Sequence, residues 1–237
     1  CTDYLNQSDT TCEKWRIIGV FDNKIKIVRN ESIGNMSWDT SESSSNSGKG
    51  SNDWTTSDIM RLLNPGYDTN SITVGDNDVL VNNSLYWNRP SGEANYFSGQ
   101  NNAYTNLTEE NSIFKNVGIT PATKAKNLIV ENTWYLGPMD LLGMNMSPAT
   151  TYKDEREGNS TWSGKVGVIY PSDYAYATDI SACTRYIVNF NNSSDDYVCR
   201  RNDWLYLGVD EWTISPVSSS IVYIASDGGA NSTDTYN

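Results

Sequence analysis

Histidine is absent from this chain of 237 residues. That absence removes the base on which Ser-His-Asp and Cys-His nucleophilic catalysis depend, and it rules out mixed Cys/His zinc sites. Basic side chains are scarce as well: 17 Lys and Arg against 29 Asp and Glu leave a net charge of −12 and a pI near 4.4. Neutralising a phosphate backbone needs clustered cations, and only the pairs Lys124/Lys126 and Arg200/Arg201 come close. Nucleic acid and anionic lipid are therefore not expected as partners. No apolar run is long enough to be read as a transmembrane segment, and no internal repeat is visible.

What fills the chain instead is neutral and polar. Asn, Ser and Thr make up roughly a third of it, apolar residues 37% and charged residues 19%. Tyr and Trp, 23 together, far outnumber the 4 Phe. Such a composition favours strands and long ordered loops over strong helices, a profile typical of secreted bacterial surface proteins. The length suffices for a substantial core. Acidity of this degree keeps a protein soluble and monomeric, or suits a divalent or cationic partner.

The four cysteines fall into two local pairs, Cys1/Cys12 and Cys183/Cys199, with ten and fifteen residues between the partners. Zinc knuckles and ribbons need far closer thiolates. Two disulfides are the better reading, each stabilising by roughly 3 kcal/mol on the loop-entropy model, and they imply an oxidising compartment outside the cytosol. Cys1 is alternatively a lipidation site, but the polar stretch after it runs directly into a strand, so the disulfide is preferred. No signal-peptide pattern is visible within these residues, and the chain is read as a mature or trimmed ectodomain.

Residues 15–30 predict a β-hairpin, Trp15 to Phe21 and Lys24 to Arg29 joined by the turn pair Asp22-Asn23. Lys24 and Lys26 alternate with Ile25 and Ile27, which predicts one wet face. Residues 40–53 read as a polar surface loop. A helix is expected after Thr55, Thr56 or Ser57, with Asp58 in its first turn, an apolar face of Ile59, Leu62 and Leu63, and a stop at Asn64-Pro65-Gly66. Residues 67–118 read as strand fragments and loops. A second helix is predicted from Thr120-Pro121, with Ala125, Leu128, Ile129 and Trp134 on its apolar face, ending at Gly137-Pro138. Residues 150–160 read as a polar loop, Val166 to Tyr170 as a buried strand, and Pro171-Ser172-Asp173 as the opening of a short helix. The last strands are Trp212 to Ser215 and Ile221 to Ala225. Trp15, Trp134, Trp204 and Trp212 are assigned to the core.

In order along the chain stand WRIIGVFD, IKIVRNESIGNMSWDTS, WTTSDIMRLLNPGYD, SLYWNR, KVGVIYPSDYAYATD, NDWLY, WTISP and VYIASDG. This series resembles a family of uncharacterised surface or pilin-like proteins from Gram-positive and cell-wall-less bacteria. Their C-terminal half is similar to the C-type-lectin-like and formylglycine-generating-enzyme-like superfamily. The resemblance implies an α+β, C-type-lectin-like fold over residues 1–237: one extracellular domain with a twisted antiparallel sheet, about two flanking helices and long ordered loops. In that family a further closing strand follows the Ser-Asp-Gly segment. Here it is expected to be missing, which would leave an open sheet edge for a neighbouring subunit or partner strand.

These readings converge on a non-catalytic extracellular module displayed on a bacterial cell surface, an adhesin or the globular head of a pilin-like filament subunit. The alternative is a soluble carbohydrate- or protein-binding lectin-like domain. Its partners would be other subunits of a surface assembly or a host or glycan ligand. No enzyme and no cofactor are expected. Loop aromatics Tyr86, Trp87, Tyr96, Phe97 and Tyr104 are the candidate ligand contacts, since exposed aromatics stack on sugars or anchor a protein partner. Asp76 and Asp78, around Asn77, are a weak calcium candidate; the full EF-hand pattern and the paired ligand motifs of calcium-dependent lectins are absent. Ordinary turn chemistry explains the same residues.

Overall fold

The computed structural model describes residues 15–30, 38–39, 51–64, 71–74, 77–80, 129–138, 147–178, 181, 202–208, 211–218, 221–226 and 229–234. The chain divides into two compact units, residues 1–36 with 62–130, and residues 37–61 with 131–237. Short helices and small antiparallel sheets give a mixed character compatible with the expected α+β class.

In the first unit, β1 (Trp15–Phe21) and β2 (Lys24–Arg29) form the predicted hairpin. Phe21 pairs with Lys24, and Asp22 and Asn23 take φ of 50° and 62°. These left-handed values define a two-residue I′ turn, which Asp and Asn tolerate better than other side chains with a Cβ. The register slips between Ile17 and Gly19, so a bulge sits in β1. β2 has one wet face, as the alternation predicts, and it is the isoleucine face. Ile25 is 64% and Ile27 49% exposed, whereas Lys24 and Lys26 are half-buried, with Lys26 Nζ 5.9 Å from the Phe21 ring centroid. Alternation shows that two faces differ, but it does not say which one turns inward, and a lysine stem covers apolar surface well. β3 (Ser71–Val74) and β4 (Asn77–Leu80) make a second antiparallel pair, with Thr73 opposite Asp78.

The second unit carries most of the described structure. Asp53 caps a 3-10 turn over Trp54–Thr56, and Ser57 Oγ then accepts the Met60 N–H at the start of α1 (Asp58–Leu63), whose last two residues are counted with the first unit. The cap and the stop agree with the sequence reading; Ile59, Met60 and Leu63 are buried. β5 (Asn132–Tyr135) pairs with β6 (Thr161–Gly164), placing Trp134 opposite Trp162. The second predicted helix is corrected here. Its described end is a strand, because Asn132 and Trp134 face one way and Thr133 and Tyr135 the other; residues 120–128 lie outside the described residues. The polar loop read over 150–160 is also corrected, since α2 (Pro148–Asp154) occupies its first part. Ser147 caps α2 by accepting the Thr150 N–H, and Pro148 fits its first turn. Val166 to Tyr170 forms no strand; it makes a single parallel bridge, Ile169 to Thr213. α3 (Pro171–Ala177) starts at its proline as expected.

The C-terminal sheet has the order β7 (Glu211–Ser218), β8 (Ile221–Ser226), β9 (Gly229–Asp234), all antiparallel. The chain therefore supplies a further strand after Asp227-Gly228, and β9 rather than β8 forms that edge of the sheet among the described residues. Gly229–Asp234 was passed over because GANSTD has no apolar alternation, yet six residues of register hold it against β8.

An aromatic row runs through this unit. Successive ring centroids from Trp212 to Trp38, Trp54, Trp162, Trp134 and Tyr170 are 5.9, 5.6, 5.6, 6.4 and 6.1 Å apart, within the range of favourable edge and offset contacts. Trp38, Trp54, Trp162 and Tyr170 are its buried members. The tryptophans assigned to the core from sequence are instead half-buried at positions 15, 134 and 212, and Trp204 is 41% exposed.

Candidate functional site

Where α2 meets α3, four interactions fix a set of tyrosines and one arginine. The first is a buried carboxylate. Glu155, directly after α2, has no solvent exposure. Its carboxylate accepts the Ser172 N–H at 2.8 Å and the Ser172 Oγ–H at 2.5 Å, satisfying a first-turn donor of α3. Burial pushes the Glu155 carboxyl up to about 7; the Ser172 bonds oppose that rise and the Asp173 charge adds to it.

The second is a close approach by Gly137. Its N–H donates to the Glu155 carbonyl at 3.1 Å, and a Cβ there would lie 2.6 Å from the carbonyl oxygens of both Glu155 and Glu157. Only glycine lets the two segments touch.

Tyr170 supplies the third. Its hydroxyl accepts the Tyr135 N–H at 2.8 Å and donates to the Tyr135 carbonyl at 3.0 Å, so one phenol closes the backbone of a strand residue. Its ring stacks on Trp134 with an interplanar angle of 18°. Asp173 in turn accepts the Tyr170 N–H at 2.9 Å. Burial drives the Tyr170 phenol upward in pKa, so it stays protonated.

The fourth is Arg156. Nη1 donates to the Tyr152 carbonyl at 3.0 Å and lies 3.7 Å from Glu155 Oε2. The guanidinium carbon is 3.4 Å from the Tyr152 ring centroid and 5.3 Å from that of Tyr135, a stacked, cation–π arrangement. Tyr152 meets Tyr176 edge to face at 6.5 Å. Tyr135, Arg156, Tyr152 and Tyr176 thus form a contiguous row. Tyr176 is 60% exposed, Tyr135 37% and the Arg156 side chain 25%.

The two buried groups with shifted acidity, Glu155 and Tyr170, are each hydrogen-bonded twice within the protein. The row beside them is open and carries both aromatic faces and guanidinium donors. Its chemical capacity is recognition.

The sequence-predicted contacts Trp87, Tyr96, Phe97 and Tyr104 lie outside the described residues, as do Cys1, Cys12, Cys183, Cys199 and Asp76. The backbone of Asp78 is in β4. Among the described residues no group of three His, Cys, Asp or Glu side chains is placed to hold a metal ion. Sequence reasoning missed the Tyr152–Arg156 pair. Its signal was a four-residue spacing that sets Arg156 in the turn just after the helix carrying Tyr152, once Ser147-Pro148 is read as a helix start. No protein-family model, curated protein or solved structure matches the chain.

Proposed function

We propose that this chain is a non-catalytic extracellular module of the bacterial cell surface that holds a ligand on the row Tyr135–Arg156–Tyr152–Tyr176. The observation that carries this reading is the pinned Arg156. Its guanidinium carbon lies 3.4 Å from the Tyr152 ring centroid, and the backbone of the flanking Tyr135 is held by the Tyr170 hydroxyl. Rigid aromatic and arginine side chains of this kind dominate recognition surfaces because little entropy is lost when they engage. The two cysteine pairs and the resemblance to bacterial surface proteins support the extracellular placement and the C-type-lectin-like form of the fold. Filament assembly would use the sheet edge, which β9 now forms, whereas the aromatic and arginine row is a surface suited to a ligand, so a lectin-like ligand-binding role is placed ahead of the pilin-head role. The test is an array of glycans and peptides probed with the full chain. Saturable binding to a defined ligand class is the expected result, and a chain that binds nothing on the array overturns the reading.

A further inference from the structure

We infer that the row formed by Tyr135, Arg156, Tyr152 and Tyr176 is a metal-independent site for a neutral saccharide. This rests on the binding-module reading and names its ligand.

Three observations lead there. The first is the pairing of faces with donors. Tyr176 offers an exposed ring and Tyr135 a partly exposed one, surfaces onto which the apolar C–H face of a sugar ring packs. Between them Arg156 is held by one nitrogen. Nη1 is engaged with the Tyr152 carbonyl and lies near Glu155, so a ligand would draw on the remaining Nε and Nη2 donors of the planar fork.

The second is pre-organisation. Arg156 is stacked on Tyr152, Tyr152 is met edge-on by Tyr176, and the Tyr135 backbone is closed by Tyr170. A weakly hydrophobic, hydroxyl-rich ligand returns little energy per contact, so a surface that loses little entropy on binding suits it.

The third is charge. Glu155 Oε2 lies 3.7 Å from the guanidinium, Asp154 and Glu157 flank the pair in sequence, Lys153 is already paired with Glu157 at 3.0 Å, and the whole chain carries −12. An anionic ligand would meet this field unfavourably, whereas a neutral one is indifferent to it. Because the donors are a guanidinium and phenols, the contact needs no bridging cation.

The experiment is calorimetric titration of the full chain with cellohexaose, maltohexaose and chitohexaose, and with hexagalacturonate and sialyllactose as acidic probes, each with and without EDTA. At least one neutral oligosaccharide binds, and EDTA changes nothing. Tyr176→Ala weakens that binding by roughly 10-fold or more, the loss expected for a recognition tyrosine, while Tyr176→Phe keeps most of it. Binding of acidic oligosaccharides alone, loss of binding in EDTA, no binding of any neutral probe, or indifference to Tyr176→Ala would each overturn the inference. A Tyr176-dependent peptide or acidic-sugar signal on the array would sink the neutral-saccharide assignment while leaving the binding-module reading intact.

Discussion

Glu155 and Ser172 are joined twice, side chain to backbone and side chain to side chain, at 2.8 and 2.5 Å. This contact ties the end of α2 to the first turn of α3 and so sets the separation between Tyr152, on one helix, and Tyr176, on the other. It also buries a carboxyl whose folded pKa, about 7, lies above its ordinary 4.5.

A pH dependence follows with a definite sign. The folded protein binds the Glu155 proton more tightly than the unfolded chain does. The contribution of this group is therefore most favourable below about pH 4.5, is lost as pH rises through about 7, and stays lost above it. The difference is of order 3 kcal/mol. Glu155→Gln, which cannot ionise, should melt close to wild type at pH 5 and above it at pH 8. Thermal denaturation of both proteins across that interval checks the prediction, and parallel curves would contradict it.

Gly137→Ala should destabilise strongly. The new methyl would sit 2.6 Å from two carbonyl oxygens, and backbone atoms cannot move aside as a flexible side chain would. A loss of roughly 2–3 kcal/mol is expected, as for other overpacked sites. Urea denaturation measures it.

Tyr170→Phe removes both hydrogen bonds that close the Tyr135 backbone while keeping the ring against Trp134. Water reaches part of Tyr135, so the cost should be about 1–2 kcal/mol rather than the full penalty for two buried groups. Ligand affinity should fall as well, because Tyr135 is no longer fixed beside Arg156.

Two apolar residues should behave in opposite ways. Trp54, 1% exposed and in ring contact with Trp38 and Trp162, should cost roughly 3–5 kcal/mol when changed to Ala. Ile25, 64% exposed on the hairpin, should change stability by about 0.5 kcal/mol or less as Ile25→Thr. Denaturant midpoints of the two variants separate the cases.

Local chemistry made much of this fold legible. The Asp22-Asn23 turn, the Ser57 cap of α1, Pro171 at the start of α3 and the β-branched runs of β7 and β8 all act within a few residues, where sequence determines conformation directly. Tertiary choices were not legible in the same way. Trp134 fits a helical face as well as a strand, and only its pairing with Trp162 decides. Ile25 and Lys26 alternate identically whichever face is covered. Trp38, Trp54 and Trp162 lie far apart in sequence, and nothing in their surroundings signals that their rings meet. The recognition row was half visible. Tyr152 and Arg156 share a helical spacing, but Tyr135 and Tyr176 reach them only through the Glu155–Ser172 contact and the Tyr170 hydroxyl.

The most direct test of the central claim, that the α2–α3 face is the ligand surface, is a paired measurement on Tyr176→Ala of ligand affinity and melting temperature. With its ring 60% exposed, Tyr176 contributes little to stability, so the variant should melt within about 2 °C of wild type. Its affinity for the ligand found on the array should fall by roughly 10-fold or more. A variant that melts like wild type and binds like wild type would contradict the account.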